Sequence, residues 1–211
     1  FDTVGNRTTA AAGGDESGVN LRPSVYTAND GNAYTARTVP GAVDVLGAAT
    51  APASVTVNGA AAAERGEYFH RAVPVANGSG PVWLGVTNTA TLGGSSASAT
   101  GYTLVAPTNQ TFSYDAHGNL TNDSLWAYTW DADNRLIQAE TLDTVPAAGR
   151  LKLEFTYDHQ GRRVRKMVSN WVSGAWTLTS DQRFDYDGWN LLAILTPNSQ
   201  LLSTFTWGLD L

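Results

Sequence analysis

Cysteine is absent from this 211-residue chain, methionine occurs once, and lysine is found only at Lys152 and Lys166. Without a thiol there is no disulfide framework, no thiolate zinc site and no cysteine nucleophile. Charge is scarce as well. Only 15% of residues are charged, with 13 Lys+Arg against 19 Asp+Glu for a formal net charge of -6, where soluble domains carry about 25%. A phosphate-backbone binder draws its affinity from many cations, so this balance speaks against nucleic acid as a partner. Long hydrophobic runs are missing too. The least polar stretch, residues 41–53, is interrupted by Asp44, Gly47, Thr50 and Pro52 and falls short of the ~20 apolar residues of a membrane helix, so no membrane span is expected. The chain opens at Phe1 without a basic and then apolar leader; no signal peptide is read in it, and a fragment of a longer protein is the expectation.

What the chain does contain is apolar and aromatic material: 42% hydrophobic residues, 21 Gly, 7 Trp, 8 Tyr and 6 Phe. That is enough to bury a core and argues against wholesale disorder. Fourteen of these 21 aromatics follow residue 108, and they follow a repeat. Phe112-Ser-Tyr114-Asp115-Ala-His-Gly118-Asn119-Leu120 recurs as Tyr128-Thr-Trp130-Asp131-Ala-Asp-Asn134-Arg135-Leu136 and as Phe155-Thr-Tyr157-Asp158-His-Gln-Gly161-Arg162-Arg163. A fourth copy, Phe184-Asp-Tyr186-Asp187-Gly188-Trp189-Asn190-Leu191, brings its glycine early and needs a shorter turn. Phe205-Thr-Trp207-Gly208 starts a fifth, and Phe1-Asp2-Thr-Val-Gly5-Asn6-Arg7 resembles the end of an earlier one.

Each template position has a physical reason. Aromatics two residues apart share one face of a strand. The Asp that follows offers an acceptor to backbone donors two or more residues on, which opens a tight turn. Gly or Asn three residues later tolerates the left-handed conformation. Each copy therefore reads as a β-hairpin with an Asp-x-x-Gly turn, a bulge, and a return strand from Leu120, Leu136 or Val164. No copy buries its aromatic face alone; stacked copies do.

The first half differs in composition, with a sharp change near Pro107. Val55-Thr-Val57-Asn58-Gly59, Glu67 to Val73, Val73-Pro-Val75 and Val82 to Thr87 read as strands, Ala60 to Arg65 as a helical turn or two at most, and the Gly/Ser-rich stretch Gly93 to Thr100 as a polar loop. Residues 26–105 are expected to form a small antiparallel, sandwich-like β module, inserted between residues 1–25, the end of a preceding hairpin copy and a linker, and residues 109–211, the repeat region.

The aromatic-x-aromatic-Asp-x-x-Gly-Asn/Arg-Leu copies resemble the YD repeats of bacterial Rhs proteins, and the stretch from Phe184 to Leu191 resembles the lead into the Rhs-associated core. Trp207-Gly208-Leu209-Asp210-Leu211 is similar to the opening of that core. The resemblance covers Phe112 to Leu211 and, more weakly, Phe1 to about Thr8; the module from Tyr26 to Val105 resembles an insertion found in some members. In this family, and in the related teneurins and insecticidal toxin-complex proteins, YD hairpins build a long sheet that spirals into a hollow shell. In bacterial members the shell encloses a C-terminal toxin, freed by an aspartyl self-cleavage in the core beyond the WGLDL segment. The sequence stops before that part of the core, so no self-cleavage residue carries over, and Asp210 belongs to the signature alone. The resemblance thus implies an all-β, non-enzymatic wall segment of a secreted or cell-surface bacterial protein. Its partners would be the rest of the same chain, the toxin cargo and secretion machinery.

Several residues invite a chemical role beside this scaffold reading. The repeated acids Asp115, Asp131, Asp158 and Asp187 favour turn capping over calcium, because Glu140 is out of register for a calcium loop. His117 and His159 fall at variable turn positions and His70 on a strand, which favours structural or solvated roles. The basic run from Arg162 to Lys166 alternates on a strand, with Arg163 and Arg165 expected on one side, a solvated or shell-lining face rather than a nucleic-acid contact. Trp171 and Trp176, flanking Ser173-Gly174, are either cross-strand partners in a hairpin extension or a glycan-stacking pair, and carbohydrate adhesion is the rival function. Asp181 and Asp185 are the pair a glycoside hydrolase would need. No catalytic, cofactor or metal residue is assigned, and no cofactor is expected.

Overall fold

The computed structural model describes residues 1–15 and 17–208; Leu209, Asp210 and Leu211 of the terminal signature lie outside the described residues. The protein is all-β. Among the described residues, the helical element is a single 3-10 turn, Ala147–Gly149. The chain separates into two compact units, Phe1–Phe112 and Ser113–Leu211.

The first unit contains β1 (Thr9–Ala12), β2 (Arg22–Ala28), β3 (Tyr34–Thr38), β4 (Ala42–Ala48), β5 (Ser54–Val57), β6 (Ala60–Ala61), β7 (Ala63–Arg65), β8 (Tyr68–Pro74), β9 (Val82–Leu92), β10 (Ser95–Val105) and β11 (Asn109–Thr111). They form three antiparallel sheets in the orders β1-β2-β3-β11, β10-β9-β5-β6 and β4-β8-β7. Alternation explains the core. Val55 and Val57 of β5 and Phe69 and Val73 of β8 point inward from two different sheets, and Val45, Leu84, Val86 and Ala90 pack against them. Val57 has 0% exposure, and burying a valine side chain contributes about 1.5–3 kcal/mol. Gly47 lies beneath the Phe69 ring, where a Cβ would sit 2.5 Å from a ring carbon.

Three stretches differ from the sequence reading. Thr9–Ala12, expected within a linker, pairs with β2 as a strand. Ala60 to Arg65 is not helical: Asn58 and Gly59, both at positive φ, reverse the chain so that Val57 faces Ala60, and the Glu64 carboxylate accepts the Val55 N–H at 2.6 Å. The polar stretch after Gly93 is a long strand rather than a loop. Gly93-Gly94 makes a two-residue turn at positive φ, and β10 then pairs with β9 from Ser95↔Leu92 to Val105↔Val82. Weak β-propensity of Ser and Gly hid this strand; cross-strand hydroxyl pairs support it.

The second unit is one nine-stranded antiparallel sheet in sequence order: β12 (Ser113–Tyr114), β13 (Leu120–Asn122), β14 (Trp126–Trp130), β15 (Leu136–Thr141), β16 (Leu151–Tyr157), β17 (Arg163–Val172), β18 (Ala175–Asp187), β19 (Asn190–Leu195) and β20 (Leu201–Thr204). Registers place Tyr128, Ala139, Leu153 and Val168 in one row across four strands. The opposite face carries Gln138, Glu154, Arg165 and Asp181. One layer of sheet buries little by itself. Among the described residues of this unit, Ala139, Thr141, Val145, Gly149 and Ser169 fall below one-tenth exposure, whereas most of the aromatics remain half-buried.

Candidate functional site

The feature that the sequence repeats, the Asp turn, is built the same way each time. At Asp131, Oδ1 accepts the N–H of Asp133 and of Arg135, both at 2.9 Å. The Asp131 carbonyl accepts the Asn134 N–H at 3.0 Å, and the Asp131 N–H donates to the Arg135 carbonyl at 3.0 Å. The residue three after the Asp is left-handed, Asn134 at φ 58. Asp115 and Asp158 repeat each of these bonds, with Gly118 and Gly161 in the left-handed position. Asp2, at the edge of the first unit, does so too, with Gly5.

The same turn occurs at three places the sequence reading missed. Asp15 bonds the N–H groups of Ser17 and Val19, and Asn29 those of Gly31 and Ala33. Thr196 closes a third, with its hydroxyl accepting the Gln200 N–H and Ser199 left-handed. None of the three has the two flanking aromatics that marked the other copies, so only the Asx/Thr-x-x-(Gly/Asn/Ser) spacing could have found them. Asp187 departs as expected: Asp187 pairs directly with Asn190 across a two-residue turn, with Gly188 at φ 55.

These bonds hold the carboxylates ionised. Asp115 is lowered below the usual carboxylate value first by the Asn119 amide, and Asp131 first by the Arg135 N–H. At Asp158, desolvation pushes upward but is outweighed by the Arg162 guanidinium and the N–H groups of Arg162 and Gln160.

The residue after the left-handed position ties each turn to the next. Asn119 donates to the Asn134 Oδ1 at 2.7 Å, Arg135 to the Asp158 carbonyl at 3.4 Å, and Arg162 to the Gly188 carbonyl; in the first unit Asn6 reaches Asn32 in the same way at 2.9 Å. The second aromatic of the four later copies completes the tie in the other direction. Trp130 Nε1 donates to the Leu120 carbonyl at 2.8 Å, the Tyr157 hydroxyl to Leu136 at 2.8 Å, the Tyr186 hydroxyl to Arg163 at 3.0 Å, and Trp207 Nε1 to Leu191 at 2.7 Å. Arg135 lies over the Tyr157 ring and Arg162 over the Tyr186 ring, 5.3 and 5.2 Å from their centroids. The aromatic, the Asp and the Asn/Arg of the template thus each perform one bonding job, and two of the three jobs are done on a neighbouring copy.

A bulge recurs beside the turns at Asn29, Asp115, Asp131, Asp158, Asp187 and Thr196. One residue of the return strand is extra: Thr121, Ile137, Val164, Leu192 and Leu202 in the second unit, and Thr35 in the first. Bulges bend a strand and increase its twist. They also correct the reading of the basic run. Thr156 faces Arg165 and Tyr157 faces Arg163, so the bulge at Val164 sends the two arginines to opposite sides. Arg163 lies between the rings of Phe155 and Phe184, at 5.6 and 4.8 Å, whereas Arg165 forms a two-pronged ion pair with Asp181 at 2.9 and 2.6 Å. The return strand accordingly begins at Arg163, one residue before the Val164 expected.

The remaining candidate residues are placed as follows. Asp181 is committed to Arg165, and Asp185 accepts the Tyr186 N–H on the exposed strand end. Trp171 and Trp176 are cross-strand partners packed edge to face at 5.1 Å, with Arg150 and Lys152 over their rings. His117 and His159 are exposed. His70 has a partner the sequence did not suggest: its Nε2 lies 2.8 Å from Asp44 Oδ1, and Arg22 binds the other oxygen of Asp44. There desolvation pushes the Asp44 pKa up, and the Arg22 and His70 bonds more than reverse it. Asp44 and His70 border a groove of about 830 Å³ that also meets Leu46, Tyr68 and Arg65. Among the described residues no group of three or more His, Cys, Asp or Glu side chains could hold a metal ion, and no helix is long and apolar enough to cross a membrane.

No family model matches the chain. It is similar to a tRNA nuclease WapA of Bacillus subtilis strain 168, a tRNA3(Ser)-specific nuclease WapA of Bacillus spizizenii and a tRNA(Glu)-specific nuclease WapA of Bacillus subtilis subsp. natto. Each is 28% identical over 105 residues, which is 50% of this chain and 4% of the relative. The matched stretch is thus a small part of much longer proteins.

Proposed function

We propose that this chain is a non-enzymatic wall segment of a bacterial Rhs-type protein, in which YD hairpins build part of a spiralling sheet that encloses a C-terminal toxin for secretion or display at the cell surface. The observation that carries this reading is the bonding of each copy to the next, through the aromatic donor on one side and the Asn/Arg on the other. Such a unit has no natural last member. It adds copies at constant cost, and recurrent bulges give the growing sheet a constant bend. The half-buried aromatics fit a layer designed to be covered by further turns of the same sheet or by cargo.

The relatives fit this reading in one respect. They are named as nucleases that act on tRNA, and the similarity to this chain spans 4% of their length; in our reading that small shared portion belongs to a carrying wall, and a nuclease is the kind of cargo it carries. The coding sequence on either side provides the test. Further aromatic-x-aromatic-Asp-x-x-Gly copies upstream, and a Gly-rich core followed by an unrelated domain downstream, are expected in one reading frame. A frame that holds no further copies on either side would overturn the proposal.

A further inference from the structure

We infer that the outer face of β9 and β10 in the first unit binds an uncharged, extended polysaccharide with equatorially linked sugars, seated on Trp83 and Tyr102. This goes beyond the wall reading and does not depend on it. The two rings are parallel, 3° apart in plane with centroids at 5.6 Å, and Tyr102 is 64% exposed. Gly85, directly opposite Tyr102, lets the ring lie flat, since a Cβ there would stand 3.3 Å from it. Trp171 and Trp176 meet edge to face and have cations over their rings, which leaves no flat, exposed plane.

From this platform a row of hydroxyls runs along the same face. Thr87 bonds Thr100 at 2.9 Å, Thr89 bonds Ser98 at 2.8 Å and Thr91 bonds Ser96 at 2.8 Å; each is a directly opposed pair. Within a pair one O–H is donated internally, so the second O–H and spare lone pairs remain for a ligand. From Gly85 to Thr91 the row is about 20 Å long at ~3.4 Å per residue. Ser54 and Thr56 widen it across β5.

The composition of the face selects the occupant. β5, β9 and β10 contain no Asp, Glu, Lys, Arg or His, so nothing there would recognise a phosphate, a uronic acid or a charged peptide. A pyranose offers what the face complements: an apolar C–H side that stacks on an aromatic plane, and a rim of hydroxyls that both donate and accept. Equatorial linkages keep successive sugars in a flat ribbon, which a straight row of pairs can follow and a branched or helical glycan cannot.

The test is affinity electrophoresis of the whole chain in native gels containing hydroxyethylcellulose, with retention on insoluble chitin as a second probe. Mobility is expected to fall with polymer concentration. Tyr102→Ala should weaken retardation about tenfold, the loss of one aromatic contact, while Tyr102→Phe and Trp171→Ala keep it. Titration with cellohexaose should move the amide NMR signals of Tyr102, Thr89 and Ser98, a readout that needs no variant to fold. Unchanged mobility in the polymer gel together with no retention on chitin, retardation that Tyr102→Ala leaves intact, or signal shifts confined to other residues would each overturn the inference. So would concentration-dependent dimerisation through the exposed edge of β10 in place of binding, which would assign the strand to a second copy of the chain.

Discussion

Replacing Tyr157 by Phe removes one oxygen and isolates the bond between two repeat copies. The Tyr157 hydroxyl donates to the Leu136 carbonyl at 2.8 Å, and both residues are half-buried, so water restores the lost partner only in part. A neutral hydrogen bond of this kind is worth about 1 kcal/mol net, and leaving the carbonyl unpaired moves the cost toward about 1.5 kcal/mol. The ring stays, and with it the Arg135 contact at 5.3 Å. Urea unfolding followed by tryptophan fluorescence is the assay, because six of the seven tryptophans lie in the second unit. For an unfolding slope of about 1.5 kcal/mol per molar urea, the midpoint should fall by about 0.7–1 M with the slope unchanged. Tyr186→Phe should shift the midpoint in the same direction by less, since its hydroxyl does the same job on the Arg163 carbonyl at 3.0 Å but in a bond open to water. Midpoints within about 0.2 M of the parent for both variants, less than about 0.3 kcal/mol at that slope, would refute the copy-to-copy tie as a source of stability.

Other expectations follow from the same geometry. Asp115, Asp131 and Asp158 have lowered pKa values in the fold, so their contribution is complete above the unfolded carboxylate value near 4 and disappears as pH falls through their lower folded values; thermal unfolding should show stability flat from pH 7 to about 5 and dropping below 4, and no drop would count against the turns. Gly161→Ala, at φ 81, should cost about 1 kcal/mol in a denaturant titration, whereas Ser199→Gly, at φ 62, should be close to neutral. Gly47→Ala forces a methyl against the Phe69 ring and should destabilise the first unit by about 1–3 kcal/mol, read by near-ultraviolet circular dichroism.

How much of this was legible in the residues depends on which interaction holds each part. Turns at Asp115, Asp131 and Asp158 were readable because a short side chain bonding its own backbone leaves a fixed spacing. The shortened turn at Asp187 was readable from its early glycine. The ties between copies were not: which carbonyl Tyr157 or Trp130 reaches depends on strand register, and register is set by bulges such as that at Val164, which no alternation rule contains. The same blindness put Arg163 and Arg165 on one face. In the first half, β10 was hidden because its run of Ser, Ala and Gly has poor intrinsic preference, and its stabilising pairs, Thr87 with Thr100 and Thr89 with Ser98, are made across strands. The Arg22–Asp44–His70 cluster escaped notice for a related reason, since its members lie 22 and 26 residues apart and meet only once the sheets form.

Electron cryo-microscopy of the longest natural chain that contains this segment tests the central claim most directly. The account predicts that β12 and β20 each pair with a strand from outside the segment, that the next copy repeats the tie Trp207 makes to Leu191, and that the sheet bends around enclosed density of an unrelated domain. A sheet that ends at β20 with its edge in solvent, and no domain held against its aromatic face, would contradict it.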